Sequence, residues 1–346
     1  MKRLTQYAAR IALFLAAGTL TALPLQALAL DRTQLAVIVN TWDPVSVEIG
    51  KYYAAQRGIL FQNVIKVGFP PGRPVLPAKE FAAIKAWADE QALPHIQAYA
   101  LTWAAPYRVE CMSITAAFAF GFDPAFCAED CRTTRPSPYF NSRARLPFSQ
   151  LKMRPTMAIA AASLGQAKAL IDRGVWSDGM LPEGTAYLLS TSDAARNVRS
   201  GTYAMIESML EHHPRVRARV LREDALRDAK DILFYFTGKV RVEGLETLGF
   251  LPGAIADHLT STGGQLTDSG QMSALAWLEA GATGSYGAVI EPCNLPQKFP
   301  HPAIAIDHYL RGDTLIEAYW KSVAMPGQGI FIGEPLAAPF RRARPR

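Results

Sequence analysis

Beyond residue 30 this sequence has no apolar run long enough to cross a bilayer, no internal repeat and no low-complexity block. These absences exclude a transmembrane segment in the mature chain, a solenoid and a long disordered linker. It also lacks a G-x-S-x-G elbow, a P-loop, an H-E-x-x-H pair and a G-x-G-x-x-G turn. No cofactor is therefore implied. No basic stripe interleaved with aromatics marks a nucleic-acid surface, so no nucleic-acid partner is expected. Histidine and cysteine are scarce, with six and four residues. Acid–base and nucleophilic chemistry is confined to few positions.

The first residues carry a secretory pattern. Lys2, Arg3 and Arg10 form a basic start without an acid, residues 11–23 are apolar, and Ala27-Leu28-Ala29 is a small-x-small cleavage signal. A signal peptide over 1–29 is expected, with a periplasmic or secreted mature protein. Its removal takes away three cations and lowers the formal charge from +6 to +3. The end, residues 341–346, is expected to be a solvated basic tail.

The cysteines are Cys111, Cys127, Cys131 and Cys293. An even count in an oxidising compartment implies disulfides, and four cysteines allow three pairings. One has a local Cys127–Cys131 bridge, which leaves Cys111 to meet Cys293. Zinc is the rival reading, but no histidine lies close to Cys127 and Cys131, so no metal site is assigned.

Short apolar runs alternate with helical patterns. Strands are expected at 35–40, 63–67, 96–101, 156–161, 186–190, 216–221, 231–236 and 285–290. Helices are expected at 45–57, 78–91, 165–173, 193–211, 273–280 and 314–324, and a short strand and turn at 329–335. Thr191 or Ser192 is a candidate cap for the helix at 193. Residues 104–153 break the rhythm as a Cys- and Pro-rich insertion. The pattern predicts an α/β protein with a mostly parallel sheet flanked by helices. It is either one doubly wound sheet or two lobes, 30–153 and 154–340.

Open α/β sheets bind ligands outside the carboxyl ends of their strands. Candidate binding residues at such ends are Asn40, Asp43, Trp103, Asp193, Thr237, Thr260, Glu291 and Asn294. Each also has a plain reading as turn or cap chemistry; Asp43 before Pro44 starts a helix, and Asp193 suits a first turn. The densest polar run is residues 257–264. There, His258 is a candidate general base, with Asp257 and Ser261 beside it. Cys293 is a candidate nucleophile, with His258 and His301 as available bases, or a structural half-cystine.

The runs DILFYFTGKVRVEGLETLGFLPGAIADHLTSTGG, SALAWLEAGATGSYGAVIEPCN and GDTLIEAYWKSVAMPGQGIFIGEPLAAPF, with LTWAAPYRVEC and RPTMAIAA earlier, resemble a secreted bacterial family of no established activity. That family occurs in genomes carrying exosortase, the PEP-CTERM protein-sorting system. The resemblance implies export and an envelope or exopolysaccharide context, with envelope or sorting-system proteins as partners. More distantly, the layout looks like the gingipain-type, caspase-like cysteine peptidases. In that layout Thr237 stands where the histidine belongs, and residues 257–261 stand where the cysteine belongs, without one. Gly287-Ala288-Val289 and Gly333-Glu334-Pro335 match later landmarks. The resemblance thus implies a caspase-like fold whose catalytic dyad is not retained.

Two functions follow as expectations. The first is a non-peptidase, a pseudoenzyme-like binding or accessory protein. The second is a hydrolase using His258 with Cys293, or with Thr260 or Ser261.

Overall fold

The computed structural model describes residues 29–341. The expected signal peptide, apart from Ala29, and the tail beyond Arg341 lie outside the described residues. Among the described residues, no helix is long and apolar enough to cross a membrane.

The first half starts with β1 (Leu35–Asn40), buried at every position, as its unbroken apolar run requires. Asp43 then caps α1 (Pro44–Arg57) by accepting from Val45 N, and Gly58 closes the helix with φ at 60°. There follow β2 (Val64–Val67), the two-residue β3 (Val75–Leu76), α2 (Ala78–Gln91) and β4 (Ala98–Leu101). Helix α2 buries Phe81, Ile84 and Ala88. Trp87, which shares their spacing, stays 49% exposed and donates to Lys66 O.

The insertion is more ordered than its composition suggests. It holds β5 (Arg108–Val109), β6 (Met112–Ser113), the largely buried α3 (Ile114–Phe120) and α4 (Pro147–Leu151). Strands β3, β5 and β6 make a small separate sheet. Two disulfides fasten the insertion, Cys111–Cys127 and Cys131–Cys293. The local Cys127–Cys131 bridge, with Cys111 left for Cys293, is therefore not formed. The physical reason is a clamp between the two cysteines: Ala128 N donates to Gln328 Oε1, and Gln328 Nε2 donates to Ala128 O. Cys127 meets the β5–β6 hairpin on one side of that clamp, and Cys131 meets the loop at Cys293 on the other.

The second half runs β7 (Thr156–Ala158), α5 (Leu164–Ser177), β8 (Gly184–Leu189), α6 (Tyr203–Leu210), β9 (Val216–Leu221), β10 (Ile232–Gly238) and β11 (Phe250–Leu259). It ends with α7 (Leu275–Glu279), β12 (Gly284–Ala288), α8 (Pro302–Leu310), α9 (Leu315–Ser322) and β13 (Gly329–Gly333). The helix expected over 193–211 is shorter. Residues 197–202 form a 3-10 turn instead, because Arg199 turns inward to a buried carboxylate and Gly201 weakens the helix. Thr191 caps nothing; its hydroxyl donates to Gly238 O at 2.7 Å.

All long strands join one ten-stranded sheet in the order β2-β1-β4-β7-β13-β12-β11-β10-β8-β9. The sheet runs across the expected boundary at 153/154. Every neighbouring pair is parallel except β12 with β13, whose antiparallel register runs from Gly284↔Gly333 to Ala288↔Gly329. The sheet is thus two parallel halves of opposite direction. One main hydrophobic core fills it, with a satellite around Trp277, Tyr235 and Met272.

Candidate functional site

Opposed strand directions divide the predicted site. The carboxyl ends of β1 and β4 lie on one rim, and those of β8, β10, β11 and β12 on the other. Asn40, Asp43 and Trp103 are therefore separated from the remaining candidates. The expectation of one common rim fails because strand polarity reverses at β12/β13. All three serve local structure. Asn40 is buried and bonds both the N–H and the carbonyl of Phe69, at 3.2 and 2.9 Å. Asp43 is the α1 cap. Trp103 donates to Pro106 O at 3.2 Å and packs edge-on against Phe69.

The other rim does bring distant segments together. Glu291 N donates to Ser261 O at 3.0 Å, so residues 257–261 and 291–294 adjoin. Arg196, half-buried, bridges two of the candidates. Its Nη1 lies 3.1 Å from Asp193 Oδ2, and its Nε donates to Thr260 Oγ1 at 3.2 Å. Thr260 donates in turn to Gln271 Oε1 at 2.7 Å, which also accepts Thr262 N at 2.8 Å. The chain Asp193–Arg196–Thr260–Gln271 is the polar core of this rim. Arg196, one turn after Asp193, is visible in the sequence beside that strand end, whereas Gln271 carries no such signal because it lies in a loop far from any strand end.

Asp257 and His258 cannot act together. Successive residues of a strand face opposite sides of a sheet. Asp257 faces Arg199, with Nη1 2.6 Å from its Oδ1. Burial raises the Asp257 carboxyl to about 6, opposed by the Arg199 charge. Arg199 also donates to Thr237 O and Pro300 O. His258 faces the satellite core. Its Nδ1 accepts from Trp277 Nε1 at 2.9 Å, and its Nε2 meets Met272 O at 3.1 Å. These partners require the neutral ring with its proton on Nε2. Burial lowers its pKa to about 3. Neither ring nitrogen is left to take a proton from a hydroxyl or thiol.

Cys293 is half of a disulfide and carries no thiol to activate. The loop it occupies is organised by Glu291. That buried carboxylate accepts Cys293 N at 3.0 Å and pairs with buried Lys298 at 2.7 Å. Asn294 takes φ 54°, the left-handed turn conformation that asparagine tolerates. The Thr237 hydroxyl is buried without a hydrogen-bond partner among the described residues. Tyr107, from the insertion, donates to Asp268 Oδ1 at 2.7 Å and closes the loop after β11.

Two surface hollows are lined by none of Asp193, Arg196, Thr260 or Gln271. One of about 740 Å³ sits beside β8 and β9, lined by Tyr187, Arg219, Lys230 and Asp231. An apolar one of about 480 Å³ lies between α1 and the β1–β2 edge.

No protein-family model matches the chain. No curated protein matches it either. Among solved structures it is similar to a complex of the pro- and mature domains of Porphyromonas gingivalis RgpB. That similarity has 9% identity and a TM-score of 0.47, over 88% of this chain and 79% of that one. It is also similar to a structure described as that of a protease, with 11% identity and a TM-score of 0.42, over 90% of this chain and 79% of that one.

Proposed function

We propose that this protein is exported and works by binding, not by bond cleavage. Its place is that of an accessory protein in envelope protein sorting or an exopolysaccharide system, as its family resemblance implies. The rim built on Asp193, Arg196 and Thr260 is its contact surface. One observation carries the reading: His258, the candidate base of the rim, has both nitrogens committed inside the core. A hydroxyl at Thr260 or Ser261 without a base is a poor nucleophile at neutral pH. A guanidinium 20% exposed and held in place by a carboxylate and a hydroxyl suits recognition of polar, acceptor-rich groups. Two disulfides agree with an oxidising destination.

The test is turnover. The oxidised and the reduced protein are incubated with panels of fluorogenic peptides and esters. No hydrolysis above buffer is expected from either form. Turnover that disappears in Thr260→Val, Ser261→Ala or Cys293→Ala would overturn the binding reading.

A further inference from the structure

Leu30 lies just past the small-x-small signal, and it is not a loose end. It is 1% exposed and packs in the main core. Its nitrogen donates to Glu317 Oε2 at 3.0 Å, and its carbonyl accepts from Arg341 Nη2 at 2.6 Å.

Glu317 is an unusual partner for a plain amide. It stands in the first turn of α9, fully buried, with Oε2 also accepting Thr314 N and Oγ1 at 3.0 and 2.7 Å. Its Oε1 has no hydrogen-bond partner among the described residues. The donors around it are claimed by Asp313, which takes Lys321 at 2.7 Å, His308 Nδ1 at 2.9 Å and Arg145. Lys321 comes no nearer to Glu317 than 4.0 Å. A buried carboxylate without a close cation is costly. Burial, with Asp313 nearby, accordingly raises its proton affinity.

We propose that the chain is cut between Ala29 and Leu30, and that the freed α-ammonium of Leu30 is the cation Glu317 lacks. The inference rests on the export reading above. A leader peptidase adds water across the Ala29–Leu30 amide: the Ala29 carbonyl carbon takes the oxygen and leaves as a carboxylate. The Leu30 nitrogen takes the protons and becomes an ammonium. An amide N–H reaches one oxygen, whereas an ammonium has three donors and serves Oε1 as well as Oε2. Leu30 N is enclosed in the folded protein, so the cut precedes folding. Processing then does more than release the protein. It completes a buried ion pair that joins the new amino terminus to α9 and, through Arg341, to the end of the described chain.

The test uses the full chain, expressed in an exporting bacterium. The exported protein is sequenced from its amino terminus, and its α-amine is acetylated with an N-hydroxysuccinimide ester, native and in urea. Leu30 is expected as the first residue, with native acetylation at least about tenfold slower than in the unfolded chain. Glu317→Gln, where it folds, is expected to speed native acetylation several-fold. Export with a different first residue, or a Leu30 amine equally reactive in both states, overturns this proposal alone. An uncut chain kept in the cytoplasm overturns it together with the export reading.

Discussion

Asp257 and His258 adjoin in sequence, yet the sheet stands between their side chains. The carboxylate meets Arg199 on one face, and the imidazole meets Trp277 on the other. What looks like an acid–base pair is two separate anchors, each fixing the end of β11 to a different layer.

The His258 anchor has a pH signature. Its folded pKa is depressed to about 3, while an unfolded histidine titrates near ~6.5. Between those values the unfolded chain binds the extra proton. The His258 contribution is therefore complete above about pH 6.5 and is lost as pH falls toward 3, by up to ~1.4 kcal/mol per pH unit. Urea denaturation of wild type and His258→Asn across pH 3–8 should show the difference in slope. Parallel curves would refute it. At pH 7.5 the variant should be less stable by ~1–3 kcal/mol, since Met272 O loses its donor.

The Arg199 anchor should be asymmetric. Arg199→Met leaves a buried carboxylate alone and should cost ~3–5 kcal/mol. Adding Asp257→Asn should recover a large part of that loss, because the unpaired charge is gone. Equal Tm values for single and double variants would show that the pair is not coupled.

Much of this was legible before the structure. Apolar runs such as residues 35–40 and 232–236 need burial, and the alternation with helices announces a parallel sheet. Strand β11 was harder to see, since Pro252 and Gly253 interrupt it and Asp257 and His258 look like loop residues. The direction of β13 was not readable at all. Its short run GIFIG pairs equally well either way, and only the neighbours decide. That reversal separated Asn40, Asp43 and Trp103 from the rest of the proposed rim. The cysteine pairing was hidden for a similar reason: Cys131 and Cys293 are 162 residues apart.

The two disulfides should differ in weight. A chain-entropy estimate gives ~5 kcal/mol for a loop of the Cys131–Cys293 size and ~3 kcal/mol for that of Cys111–Cys127. Cys131→Ser/Cys293→Ser should therefore lower Tm more than Cys111→Ser/Cys127→Ser. Peptide mapping without reduction should recover these two pairs; a Cys127–Cys131 fragment would contradict the structure.

Gly238 supports the rim directly. A Cβ there would fall on the Arg196 carbonyl, a backbone atom that cannot swing aside. Gly238→Ala should cost ~2–4 kcal/mol and displace the turn that carries Asp193 and Arg196. A crystal structure of the variant with that turn unmoved would refute the role.

The position of β13 sets an order of events. It is the last strand among the described residues, yet it occupies the middle of the sheet, between β7 and β12. A polypeptide emerging amino end first can assemble each flank early, but the seam stays open until its final stretch is out. Truncation near residue 328 should therefore leave two sheet halves tied by the Cys131–Cys293 disulfide and the α1–α5 contact but not by paired strands, each with an exposed, unpaired edge prone to aggregation.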